Sequence, residues 1–119
     1  MAKIIGIGAN VFDTLYSIDK YPTEDTKTCA SAVKECGGGP CATGLVAASK
    51  LGASCGFIGN YTDDSAGQFL KSDFEKYGVD TSYMTYMPGY SSFLRLYLFR
   101  PRYLSQEQAF QGCHIQSWR

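Results

Sequence analysis

The residues able to do chemistry in this chain lie early. Asp13 stands five positions after Gly8, just past a short apolar run, K-I-I-G-I-G, at residues 3–8. Open α/β sheets form their ligand crevices where such strands end. A carboxylate there can accept hydrogen bonds from two neighbouring hydroxyls at once, which suits a sugar. An aspartate that only caps a loop would occupy the same position, and both readings stand. Further on, Gly37, Gly38 and Gly39 precede Pro40 and the run C-A-T-G-L-V-A-A-S-K-L-G. Glycines entering a helix bring bare backbone N–H groups beside a ligand, and the helix start favours electron-rich oxygens. A sugar hydroxyl fits that environment.

Other chemistries fail on spacing. Gly6 and Gly8 begin a dinucleotide fingerprint, but its third glycine falls on Val11 and no helix opens there. The triple glycine does not continue as a phosphate-binding loop, because Gly44 is followed by Leu45 instead of lysine. Asp63 and Asp64 could form a metal pair, yet acidic residues also favour a helix start, and that reading is preferred. The only histidine is His114, so no nucleophile–histidine arrangement is credible. Cys29, Cys36, Cys41, Cys55 and Cys113 contain no C-x-x-C and no paired metal spacing. They read as reduced thiols acting as small hydrophobes.

The elements that must position these residues follow from pattern. Residues 3–8 read as a buried first strand, residues 13–19 as a short, partly exposed strand, and residues 28–36 as another. Pro40 suits the first position of a helix and Gly52 the left-handed position after it. Ala42, Gly44, Ala47 and Ala48 make this helix thin enough to lie close to a neighbouring backbone. Residues 54–59 read as a second buried strand. Asp63 or Asp64 caps a second helix that ends at Gly78, with Phe69, Leu70, Phe74 and Tyr77 as its apolar stripe. Residues 79–87 and 92–99 read as strands flanking a turn at Met87, Pro88, Gly89 and Tyr90. Strands alternating with helices predict an α/β layer with parallel strands. The strands with no helix between them predict an antiparallel flap outside that layer.

The bulk numbers bound the class. The chain has 119 residues, enough for one domain, with 45% hydrophobic and 18% charged residues, which fits a soluble globular protein. The formal net charge of +0 offers nothing to nucleic acid or an anionic membrane. No apolar run approaches the ~20 residues of a membrane span, and the start lacks a signal peptide's apolar region. A cytoplasmic location is expected. Composition breaks near the end: all four arginines, Arg95, Arg100, Arg102 and Arg119, lie in the last 25 residues, with His114 and Trp118. Residues 101–119 are an atypical tail. A basic tail that binds something is one reading. An end that is not native to the fold is the other, and it is favoured because several residue types change usage together.

Four segments in register resemble the ribokinase-like (PfkB) family of carbohydrate kinases. Gly8 with Asp13 resembles its opening, whose aspartate contacts the sugar. G-G-P-C-A-T (residues 38–43), then K-L-G-A (residues 50–53), resembles its first signature. F-I-G-N-Y-T-D-D-S-A-G (residues 57–67) resembles its F-I-G-x-x-G-x-D-x-x-G segment, with Thr62 in place of a glycine. Y-G-V-D-T-S (residues 77–82) resembles its turn after the second helix. The resemblance covers about residues 3–94. It implies a partial ribokinase-like layer with a lid-like flap over residues 1–100, and a substrate site of Asp13, Gly38, Gly39 and Thr43. Thr43 takes the place of the usual asparagine. It also implies Mg2+- and ATP-dependent phosphorylation of a sugar hydroxyl in a full-length parent. The family's second signature, G-A-G-D with its catalytic aspartate, and its ATP pocket have no counterpart in these 119 residues. The chain alone is expected to bind neither ATP nor Mg2+ and to be inactive. A truncated sugar-binding or dimerising module is the alternative, since the family's lid strands often form a homodimer contact. No nucleic-acid or membrane partner is expected.

Overall fold

The computed structural model of the chain describes residues 4–100. The elements run β1 (Ile4–Ile7), β2 (Val11–Ile18), β3 (Ala30–Gly38), α1 (Pro40–Lys50), β4 (Cys55–Thr62), α2 (Ser65–Lys76), β5 (Val79–Asp80), β6 (Met84–Met87) and β7 (Leu94–Phe99). β1, β5 and β6 all pair with β4 in parallel. A second sheet has the order β3-β2-β7. The chain is therefore α/β, a parallel layer with helices plus a smaller sheet.

Local signals set the helix bounds. Pro40 occupies the start of α1, after Gly39 at φ 103°. Gly52, at φ 92°, turns the chain away beyond its end. Of the two aspartates, Asp64 is the cap of α2: its carboxylate accepts the Gly67 N–H at 2.7 Å. Gly78 (φ 73°) stops that helix. α1 buries Ala42, Leu45 and Val46, and α2 buries Leu70 and Phe74. Ala42, Leu45, Val46 and Phe74 close on Phe57, which is wholly buried, with its ring 4.6 Å from that of Phe74. Burying one such side chain contributes roughly 1.5–3 kcal/mol. Phe69, on the same helix, turns to the second sheet and meets Phe12 edge-on at 5.1 Å. One helix thus glues both layers. The close approach of α1 to β1 rests on Gly6, whose added Cβ would stand 2.6 Å from the Cys41 sulfur. Gly44 faces open space instead.

Three expectations are corrected. First, β1 is largely exposed, with Ile7 at 75%. Both helices lie on the face that carries Gly6 and Phe57. The opposite face, with Ile5, Ile7 and Ile58, has no helix over it among the described residues and only the Tyr83 ring beside Ile5. Second, residues 79–87 make two strands. A turn closed by the Met84 N–H on the Thr81 carbonyl separates them, and both belong to the parallel layer. Third, the flap is mixed, not antiparallel. β2 and β3 are antiparallel, but β7 runs parallel to β2. The cause is the route of the chain. β1 and β6 run the same way in the main layer, and each continues through a short connection into β2 or β7.

No helix among the described residues is long and apolar enough to cross a membrane. Cys29, Cys41 and Cys55 are free thiols, and burial pushes the Cys55 thiol above its ordinary pKa. Cys36 corrects the reading of reduced thiols, because it is disulfide-bonded. The readings of Cys113, His114, Trp118 and the whole tail at 101–119 lie outside the described residues.

Candidate functional site

Asp13 does not sit in a loop after β1. It is the third residue of β2, the central strand of the second sheet, and it is buried. Its register partner on β7 is Arg95. The Arg95 guanidinium donates from Nε to Asp13 Oδ1 at 2.8 Å and from Nη2 to Oδ2 at 2.9 Å. This is a two-pronged, charge-assisted pair. The hydrogen bonds to Asp13 raise the Arg95 pKa above its ordinary value.

Gly38 ends β3 opposite Val11, on the face of the sheet that carries Asp13. An added Cβ at Gly38 would overlap Asp13 Oδ2 and stand 3.0 Å from Arg95 Nη2. The glycine is thus required by the carboxylate beside it. Gly39 follows in the left-handed region, where an added Cβ would be 2.6 Å from the Ala9 carbonyl. The Thr43 N–H closes the first turn of α1 on the Gly39 carbonyl at 2.9 Å. Asp13 and Gly38 are therefore in contact, Gly39 is next in the chain, and Thr43 stands one turn further along α1, half-buried.

A separate cleft of about 320 Å³ opens at the carboxyl ends of β1, β4 and β6, lined by Asn10, Tyr61, Thr62, Met87, Ser92 and Phe93 among others. Asp13, Gly38, Gly39 and Thr43 do not line it. The buried Asn10 has its side-chain Nδ2 without a partner among the described residues. On the cleft's rim, Asp64 gathers the Ser92 hydroxyl, the Ser92 N–H and the Thr62 hydroxyl, each at 2.7 Å. These bonds, Ser92's first, hold the Asp64 carboxyl well below the usual carboxylate range. They tie the segment before β7 to the start of α2. Thr62, which stands where a glycine was expected, makes one of them.

Sequence reasoning missed Arg95, because it lies in the stretch where composition changes. Its cross-strand register with Asp13 was the signal, and that register depends on β7 running parallel to β2. No group of three or more histidines, cysteines, aspartates or glutamates that could hold a metal occurs among the described residues.

A parallel layer joined to a smaller sheet at its strand ends, with an aspartate against a glycine turn, defines the class: a ribokinase-like kinase fold. The chain belongs to the pfkB family carbohydrate kinases, whose profile matches residues 1–93. Ketohexokinase of Mus musculus is 34% identical over 84 residues, covering 71% of this chain and 28% of that protein. The 5-dehydro-2-deoxygluconokinase of Bacillus velezensis is 39% identical over 82 residues, 69% of this chain and 24% of that protein. Among solved structures, aminoimidazole riboside kinase of Salmonella enterica, complexed with aminoimidazole riboside and an ATP analogue, matches with a TM-score of 0.62. It is 29% identical, over 78% of this chain and 28% of that one. The chain thus spans about a quarter of the length of these relatives.

Proposed function

We propose that this chain is the sugar-side part of an ATP-dependent carbohydrate kinase acting in the cytoplasm, where ATP is available. In the full-length parent, phosphoryl transfer goes from ATP to a sugar hydroxyl. Asp13, Gly38, Gly39 and Thr43 hold the sugar, and the β3-β2-β7 sheet shields it from water. The observation that carries this reading is the family match across residues 1–93, with Asp13 set against the Gly38 turn within it. Proximity and a water-excluded site are the part of the catalysis these residues would supply. ATP supplies the phosphoryl group, and Mg2+ would neutralise its charge. Residues 4–100 assemble no carboxylate set for the metal, and the 119-residue sequence contains no G-A-G-D stretch for an anion hole. The chain by itself is therefore proposed to be inactive.

A second reading, a non-catalytic module that pairs through the small sheet, is favoured by one observation. Val33, Leu94, Leu96 and Leu98 are all exposed there, at 54%, 67%, 61% and 39%. One set of measurements on the purified chain tests both. Coupled ADP release with a panel of sugars should stay at background while ligand-observed NMR detects sugar binding that Asp13→Ala weakens. Turnover by the chain refutes the inactivity. Absence of all sugar binding, with a concentration-dependent dimer in light scattering, favours the second reading.

A further inference from the structure

Resting on the sugar-site reading above, we propose that Arg95 makes this site selective for an acidic sugar, one bearing a carboxylate or phosphate, over a neutral one. A free aspartate grips a neutral sugar by accepting from two hydroxyls. Each Asp13 oxygen already accepts once from Arg95, at 2.8 and 2.9 Å, so about half of its acceptor capacity is left for a sugar. The side chain of Arg95 is 42% exposed and that of Asp13 only 8%. A ligand arriving at the site therefore meets the guanidinium before the carboxylate.

The remaining donors have the right character. A guanidinium carries five N–H groups in a fixed fork, and the pair with Asp13 uses only the edge formed by Nε and Nη2. The Nη1 end has no partner among the described residues and is left for a ligand, and a planar, two-pronged donor is matched to carboxylate and phosphate oxygens. Nη2 lies 3.0 Å from where a Gly38 side chain would begin, so the guanidinium lies over the turn into α1. The first turn of α1 carries no acidic residue, and its amino end adds to the positive field. The Tyr97 ring, 5.5 Å from the guanidinium carbon, supports the cation from the same strand. A neutral diol can use only the lone pairs that Arg95 leaves on Asp13, and it shares that carboxylate with a cation. An anion instead takes guanidinium donors that Asp13 leaves unused.

The test uses the 119-residue chain and needs no turnover. Binding of gluconate, glucose 6-phosphate, glucose and fructose is measured by calorimetry or ligand-observed NMR at low ionic strength. At least one of the two anions should bind about tenfold or more tightly than glucose, the scale of one charge-assisted hydrogen bond, and added salt should erode that preference. Comparing gluconate with glucose 6-phosphate tells which acidic group is taken. Arg95→Gln should remove the preference for the anions over glucose. Should circular dichroism show that variant unfolded, Arg95→Lys is read instead, and it should keep a reduced preference. Glucose or fructose binding as tightly as both anions overturns this inference and leaves the sugar site standing. If no sugar of either charge binds, both readings fall.

Discussion

Gly38→Ala is the sharpest probe of the Asp13 site. Gly38 is not among the glycines with positive φ, so alanine brings no backbone strain there. The whole cost comes from its methyl group, which would overlap Asp13 Oδ2 and crowd Arg95 Nη2. Asp13 is buried in the central strand of its sheet and can relieve the overlap only by swinging out of both bonds to Arg95. Hydrogen bonds to charged groups are worth roughly 1.5–3 kcal/mol each. The partial exposure of Arg95 lets water replace part of that, so the net loss should be about 2–3 kcal/mol. For a domain of this size, each kcal/mol lowers the Tm by about 4–8 °C, so a fall of about 10–20 °C is expected by circular dichroism. The decisive control is the same substitution in an Asp13→Ala background. With the carboxylate gone, the alanine methyl meets only Arg95 Nη2, the movable end of a half-exposed side chain, and most of the cost should vanish as a coupling energy. A Tm within about 2 °C of wild type, or an equal cost with and without Asp13, would refute the argument that Gly38 exists to make room for the carboxylate.

Two further substitutions separate other physical effects. Gly44→Ala lies inside α1 with nothing within 4 Å of its added Cβ. It should stabilise the chain by about 0.5–1 kcal/mol through backbone entropy and helix propensity, read as a higher urea midpoint; destabilisation would show a contact at that face. Asp64 has a folded-state pKa held below its ordinary 3.8 by the Ser92 and Thr62 bonds. A depressed carboxylate stabilises the fold above its unfolded pKa and loses that contribution as pH falls through the folded one. Stability of the wild type should therefore decline from about pH 4 downward. Asp64→Asn should flatten that decline, and an unchanged slope in urea titrations at pH 2–5 would rule Asp64 out as its source.

The helix limits and the glycine turn were legible because their causes are local. Pro40 with Gly52, and an aspartate at 63 or 64 with Gly78, act within a few residues of where they stand, through caps and left-handed turns; that the cap is Asp64 came from the structure. The cluster of Gly38, Gly39 and Asp13 could be nominated from residue type and position after the first strand. Its four family-like segments could be aligned without any coordinates.

Which strands pair, and in which direction, could not be read. β7 and β2 are far apart in sequence, and nothing local in residues 92–99 distinguishes a parallel partner from an antiparallel one. The composition change at Arg95 pointed away from the site, whereas the structure sets that arginine against Asp13, 82 residues earlier. The exposure of β1 was equally hidden, because an apolar strand reads the same whether one face or both are covered. The sequence by itself determined the helix limits and the glycine turn, and it nominated Asp13, since each depends on chain conformation over a few residues. The tertiary structure alone decided that the aspartate is partnered by a cation. That outcome depends on the register of two distant strands, which the routes out of β1 and β6 impose on the chain as a whole.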